Sequence, residues 1–172
     1  GATSDAIPLL EGAARARPDD LEALNALGIA YARSGRLEAA LKTFDAVLAI
    51  DPDEAMALQN AGAAELEQGD LDRARRRFTR ALEVDAGLSQ AYPGLGDVEM
   101  KSGRRREAVA GWMRAVEINP REFDALYNLA LELINQGQVV AARPYVERFV
   151  RTAPAAMYGR EIQDLVRRVE RR

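Results

Sequence analysis

The apolar positions of this chain form short stripes that come in pairs. A spacing of i, i+3, i+4 and i+7 places side chains on one face of an α-helix. A first stripe with this spacing consists of Leu24, Leu27, Gly28 and Tyr31. A second stripe consists of Leu37, Ala40, Leu41, Phe44, Leu48 and Ile50. Because Gly35 can adopt the left-handed conformation that ends a helix, and Pro52 cannot continue the second helix, the pattern predicts a helix pair with a tight turn.

The same arrangement returns every 34 residues. Glycine recurs with this period at Gly35, Gly69, Gly103 and Gly137. Alanine recurs at Ala40, Ala74, Ala108 and Ala142, and bulky residues recur at Phe44, Phe78, Trp112 and Val146. Since glycine makes up only 13 of 172 residues, four glycines in one register indicate a true repeat. The sequence therefore predicts four gapless two-helix units, at residues 21–54, 55–88, 89–122 and 123–156.

Each unit resembles the tetratricopeptide repeat, a helix–turn–helix unit of 34 residues. The residues of the first unit that carry the resemblance are Leu27, Gly28, Tyr31, Ala40, Phe44 and Pro52. The fourth unit departs furthest from the family pattern, with Ala130, Leu133 and Val146 at the glycine, tyrosine and phenylalanine positions. The resemblance implies an all-α fold, a right-handed superhelical solenoid of antiparallel helix pairs.

The two ends of the chain differ from complete units. Residues 1–20 match the second helix of a preceding repeat, and their matching positions are Ala6, Leu10, Ala13 and Pro18. Because no first helix precedes this half unit, we expect its apolar face to be uncovered and interpret the chain as a fragment of a longer one. Residues 157–172 are expected to form a C-terminal capping helix, with an apolar stripe of Tyr158, Ile162, Leu165, Val166 and Val169.

Composition excludes several classes of function. The chain contains neither cysteine nor histidine, which removes disulfides, thiol nucleophiles, Cys/His zinc sites and catalytic triads. We therefore expect no enzymatic activity, no cofactor and no metal. A net charge of −3 does not point to a polyanionic partner, and no apolar run is long enough to span a bilayer. Of the 24 basic residues only two are lysines, which indicates a GC-rich coding genome rather than a function. We expect a soluble bacterial protein of the cytoplasm or periplasm.

The resemblance also implies a concave groove, lined by the first helices, that binds an extended peptide or a partner helix. By register, the groove residues would be Asn25, Ile29, Arg33, Met56, Gln59, Asn60, Ala63, Glu67, Gln90, Gly94, Asp97, Lys101, Asp124, Tyr127, Asn128, Leu131 and Asn135. This surface is rich in amides, which can both donate and accept hydrogen bonds along a peptide backbone. It lacks the basic residues of the family's carboxylate clamp, so we do not expect a receptor for chaperone C-termini.

Three other features each allow two interpretations. Glu65 and Glu99 replace the tyrosine of successive units, and a structural role, at the groove edge or paired with a nearby arginine, is favoured over acid–base catalysis. Trp112 occupies the phenylalanine column, which favours a core position over a ligand platform. Two arginine clusters favour a salt-bridged outer face over a nucleic-acid site, because acidic residues lie among them and aromatic residues do not. The clustered arginines are Arg73, Arg75, Arg76, Arg77, Arg104, Arg105 and Arg106.

These patterns favour a non-catalytic protein–protein interaction scaffold that binds an extended segment in its groove. One alternative is the C-terminal interaction arm of a larger multidomain bacterial enzyme, whose catalytic domain lies outside this sequence. A less favoured alternative is a nucleic-acid binder that uses the arginine clusters. Self-association through the half unit at residues 1–20 is a further expectation, and no membrane partner is expected.

Overall fold

The chain folds into a row of helices, each packed mainly against its neighbours in sequence. The computed structural model describes the backbone of residues 2–170 and the side chains of residues 6–170. Within this range there are ten helices and no strand. They are α1 (Ala2–Ala16), α2 (Leu21–Arg33), α3 (Leu37–Ile50), α4 (Ala55–Gln68), α5 (Leu71–Val84), α6 (Ala91–Lys101), α7 (Arg105–Ile118), α8 (Phe123–Asn135), α9 (Val139–Thr152) and α10 (Ala155–Glu170). Packing between sequence neighbours alone is typical of a solenoid, which confirms the predicted all-α class.

The turn inside each helix pair has the same backbone geometry. Gly35, Gly69, Gly103 and Gly137 all have positive φ, between 76° and 86°. The backbone N–H of the residue after each glycine donates a hydrogen bond to the carbonyl five residues earlier. An example is the bond from Arg36 N to Tyr31 O, at 2.9 Å. A glycine avoids the Cβ penalty of this left-handed conformation. The predicted role of the periodic glycines is therefore confirmed.

The small residues of the repeat allow the two helices of a pair to approach closely. A Cβ added at Gly28 would collide with the ring of Phe44, and one at Gly96 would lie 2.7 Å from the Trp112 indole. The rings themselves are almost fully buried, with Phe44 0% and Trp112 3% exposed. The prediction that Trp112 belongs to the core is confirmed.

The first helix, α1, leaves part of its apolar face uncovered. Ile7 is buried against α2, where it contacts Leu27 and Ala30. The side chain of Leu9, in contrast, is 77% exposed. At matching register positions, α3 buries Ala40, Phe44 and Val47 completely, whereas α1 leaves Ala6, Leu10 and Ala13 only half-buried.

The last helix, α10, covers the end of α8 and α9. It begins at Ala155, slightly before the segment assigned to the cap, and its backbone is kinked at Tyr158. Within α10, the side chain of Leu165 is fully buried. The Tyr158 ring packs edge-on to Phe149, with 5.5 Å between centroids, and also contacts Phe123. This aromatic cluster attaches α10 to the solenoid.

Candidate binding groove

The first helices of the pairs, α2, α4, α6 and α8, form most of the walls of two clefts. The α2/α4 cleft has a volume of about 470 Å³ and is lined by Leu21, Glu22, Asn25, Ala26, Ile29, Glu54, Met56 and Asn60. The α6/α8 cleft has a volume of about 440 Å³ and is lined by Leu66, Asp97, Met100, Lys101, Trp112, Asn128, Leu131, Glu132 and Asn135. Residues predicted for the groove occur in both sets. The structure therefore brings together much of the predicted surface, but as two separate clefts.

A carboxylate connects the two helices of the α2/α4 cleft. Glu54 lies at the N-terminus of α4, where its side chain accepts a hydrogen bond from the backbone N–H of Ala57. The same oxygen accepts a second bond from Asn25 Nδ2 on α2, at 3.2 Å. Because a carboxylate suits a helix N-terminus, this arrangement both caps α4 and orients Asn25.

Two amide atoms in the α2/α4 cleft are buried without a hydrogen-bond partner in the described part of the chain. They are the acceptor Oδ1 of Asn25 and the donor Nδ2 of Asn60. The neighbouring wall is apolar and accessible, since Ile29 is half-buried and Met56 is 42% exposed. The cleft thus has an apolar surface beside two asparagines, each with one buried amide atom that lacks a partner among residues 6–170.

In the α6/α8 cleft, a carboxylate is held by two neutral donors. Asp97 Oδ1 accepts a hydrogen bond from Trp112 Nε1 at 3.0 Å and one from Asn128 Nδ2 at 3.2 Å. Burial raises the pKa of Asp97 above its ordinary value, and the hydrogen bonds from Trp112 and Asn128 oppose this shift. The sequence analysis treated Trp112 only as core and missed its bond to Asp97. The available signal was the indole N–H, which usually has a partner when it is buried.

Several predicted groove residues lie outside both clefts. The Tyr127 ring packs against Phe149, and its hydroxyl donates to Asp164 Oδ2 of α10 at 3.5 Å. Asp124 Oδ1 accepts a hydrogen bond from Tyr158 of α10 at 3.0 Å. Gln59 is only 9% exposed. Four other predicted residues are exposed on the surface and do not line either cleft, namely Arg33, Ala63, Glu67 and Gln90.

The two periodic glutamates are buried and paired with arginine, which confirms the favoured interpretation. Glu65 is 2% exposed and lies 3.5 Å from Arg77 Nε. Burial raises the pKa of Glu65, and the nearby Arg77 opposes the shift. Glu99 accepts from Arg75 Nε at 2.9 Å and also pairs with Arg104.

A third buried glutamate, Glu132, was not identified from the sequence. Its carboxylate lies 3.3 Å from Arg105 Nη1. It stands one position before the column of Glu65 and Glu99, so a search restricted to one register does not find it.

Most of the clustered arginines are paired with acidic residues. Arg75, Arg77 and Arg104 contact the buried glutamates, and Arg73 pairs with Asp70 at 3.4 Å. Across residues 6–170, the exposed Arg76 and Arg106 have no acidic partner within 4.0 Å. These contacts support the salt-bridged outer face over the nucleic-acid site.

Two further kinds of site are absent from the described part of the chain. Residues 6–170 contain no cluster of three or more His, Cys, Asp or Glu side chains that could hold a metal ion. Among the helices between residues 2 and 170, none is both long and apolar enough to cross a membrane.

Comparison with protein-family models decides the family to which the chain belongs. One tetratricopeptide repeat model matches residues 1–62, and a second matches residues 93–156. The chain belongs to the tetratricopeptide repeat family. Proteins built from these repeats are generally scaffolds for protein–protein interaction, and this is the general role of the chain.

Solved structures of tetratricopeptide repeat proteins have the same fold. PilF from Pseudomonas aeruginosa superposes with a TM-score of 0.83 at 21% identity, covering 98% of this chain and 82% of its own. MamA from Desulfovibrio magneticus RS-1 gives 0.75 at 23% identity, covering 88% and 85%. YrrB, a repeat protein with an unusual peptide-binding site, gives 0.73 at 20% identity, covering 93% and 90%. No curated protein matches the sequence.

Proposed function

We propose that this repeat protein is a non-catalytic module that binds an extended segment of a partner protein along the first helices. The α2/α4 cleft is the proposed anchor point. The observation that carries the proposal is the pair of buried amide atoms, Asn25 Oδ1 and Asn60 Nδ2, that have no hydrogen-bond partner among residues 6–170.

An extended peptide fits this pair of atoms chemically. Its backbone offers an N–H to the acceptor of Asn25 and a C=O to the donor of Asn60. Because both atoms are buried in the free protein, the two side chains would rotate toward the cleft on binding. Each buried polar atom left unsatisfied costs about 1–3 kcal/mol, so a ligand that completes both hydrogen bonds would recover that free energy. Binding of this kind depends little on the ligand's side chains.

The apolar wall would supply a contact for one side chain of the segment. Ile29 and Met56 are accessible and lie in the same cleft as the two asparagines. Methionine is flexible and adapts to ligands of different shape. From this cleft the segment would continue past the exposed Ala63, Glu67 and Gln90 to the α6/α8 cleft. The peptide-binding site of YrrB, which has the same fold, supports this use of the architecture.

The test is selection from a displayed library of random peptides, followed by affinity measurements on Asn60→Leu. Leucine has nearly the shape of asparagine but cannot donate, so we expect binding of the selected peptides to weaken about tenfold. The same change removes an unsatisfied buried group, so it should leave the fold equally stable or stabilise it by about 1 kcal/mol. Weaker binding in a protein of undiminished stability would identify a ligand contact rather than a damaged fold.

Gln163→Leu is the matched control, because Gln163 is an exposed amide on α10. This variant should bind the selected peptides as the wild type does. The proposal is wrong if the library yields no ligand, or if Asn60→Leu and Gln163→Leu bind the selected peptides equally well.

A further inference from the structure

The α6/α8 cleft contains a carboxylate without a cationic partner. The buried glutamates on the first helices each have an arginine, as Glu65 has Arg77 and Glu132 has Arg105. Among residues 6–170, no lysine or arginine lies within 4.0 Å of the Asp97 carboxylate. A charge that is partly removed from water is unfavourable unless it is paired. Asp97 therefore differs from the glutamates in having no ion pair with the described residues, and a cation from a ligand could supply one.

The carboxylate is also fixed in position. Both neutral donors, Trp112 Nε1 and Asn128 Nδ2, bind the same oxygen, Oδ1. The other oxygen, Oδ2, accepts no hydrogen bond from the described residues and is not fully buried. One oxygen is thus held by the protein, and the other is free to accept a hydrogen bond from a ligand.

The cleft also has an apolar wall. Leu66, Met100 and Leu131 contribute aliphatic side chains from α4, α6 and α8. Lys101, which follows Asp97 by one turn of α6, is exposed and forms no ion pair with it. An apolar wall beside a carboxylate complements a side chain with an aliphatic stem and a charged end.

We propose that the α6/α8 cleft binds a lysine or arginine side chain of the partner segment. The aliphatic stem would lie on Met100 and Leu131, and the cationic end would donate to Asp97 Oδ2. This inference rests on the proposed function and adds to it the chemistry of the partner, a segment that carries a basic residue. The basic residue would follow, along the segment, the part held by Asn25 and Asn60.

The single tryptophan of the chain makes a direct test available. The indole N–H resonance belongs to Trp112 alone and reports on Asp97. The full chain is titrated with N-acetyl-arginine amide and, separately, with N-acetyl-citrulline amide, which has nearly the same shape but no charge. We expect a saturable shift of the indole resonance with the arginine compound. The affinity for the citrulline compound should be lower by about fivefold or more.

Two variants show whether Asp97 causes the preference for the arginine compound over the citrulline compound. Asp97→Asn keeps an acceptor for Trp112 and Asn128 but removes the charge, so the preference for arginine should disappear. Glu107→Gln removes one charge from an exposed position of α7 outside the cleft, so the preference should remain. Thermal unfolding of both variants checks that they are folded.

Equal affinity for the arginine and citrulline compounds overturns this inference, and so does a preference that persists in Asp97→Asn. Either result leaves the anchor at Asn25 and Asn60 untouched, because the small compounds test only the α6/α8 cleft. The peptide library separates the two proposals further. Selected peptides without enrichment of lysine or arginine contradict the cation site alone, whereas failure to select any peptide contradicts the proposed function.

Discussion

The buried indole of Trp112 donates a hydrogen bond to Oδ1 of Asp97 at 3.0 Å, and this bond joins the core of the solenoid to its α6/α8 cleft. The other helix pairs have phenylalanine or valine at this column, and these residues cannot donate. Trp112 therefore fills the core as Phe44 and Phe78 do, while its polar edge orients a carboxylate. In this unit, one side chain therefore contributes both to the core and to the candidate binding surface.

Replacing Trp112 with phenylalanine should separate these two roles. Phenylalanine occupies the same column in two other units, so the core should remain folded, with a small loss from reduced packing. Asp97 would retain only Asn128 as a donor. A double-mutant cycle of Trp112→Phe and Asp97→Ala, in which alanine removes the acceptor, should give a coupling free energy of about 1–2 kcal/mol by urea unfolding. A coupling near zero would mean that the hydrogen bond contributes nothing to stability.

Asp97 should make the stability of the fold depend on pH. Burial raises the pKa of Asp97 in the folded state, so the folded protein holds a proton more readily than the unfolded chain. The stability that Asp97 contributes is therefore complete below its unfolded pKa and is lost as the pH rises through its folded pKa. Asp97→Asn should then be more stable than the wild type at pH 7, and the difference should shrink as the pH falls toward about 4. Urea unfolding at several pH values measures the difference in unfolding free energy between the two proteins. A difference that does not change with pH would contradict the prediction.

The close approach of α6 and α7 predicts that Gly96 tolerates no larger residue. An added Cβ would lie 2.7 Å from the Trp112 ring and 3.2 Å from the Ala108 carbonyl, so Gly96→Ala should destabilise the fold by about 1–3 kcal/mol. Gly12→Ala is the control, because nothing lies within 4 Å of a Cβ at that exposed position of α1. It should stabilise the fold by about 0.5–1 kcal/mol, since alanine favours a helix over glycine. Thermal unfolding distinguishes the two variants, and equal effects would refute the packing argument.

The pairing of Glu65 with Arg77 predicts that removing the arginine alone is unfavourable. Arg77→Met leaves a buried carboxylate without its cation and should cost about 2 kcal/mol, less than for a fully buried pair because Arg77 is partly exposed. The double variant with Glu65→Gln should recover much of this loss. Arg76→Met, at an exposed neighbour that has no ion pair among residues 6–170, should change stability by less than about 0.5 kcal/mol. Denaturant unfolding provides the free energies, and an Arg77→Met effect no larger than that of Arg76→Met would contradict the assignment.

The local features of the fold could be predicted because they depend on residues close in sequence. The turns at Gly35 and its repeats follow from the backbone freedom of glycine, and the burial of Phe44 follows from helical periodicity. The sequence also placed Asn25, Asn60 and Asp97 on first helices, where the structure has them. Periodicity assigns a residue to a helix face but does not say how much space separates that face from the next helix.

The sequence by itself thus determined the repeat, the helix pairs, the turns and the core columns, since each follows from spacing along one helix or one tight turn. Only the tertiary structure decided which side chains meet between helices. It joined Trp112 to Asp97, bound Tyr127 to α10, and turned Arg77 inward to Glu65. The physical reason is that these contacts depend on the angle and distance between stacked helices. Those quantities are set by the packing of many side chains at once, so no single spacing in the sequence encodes them.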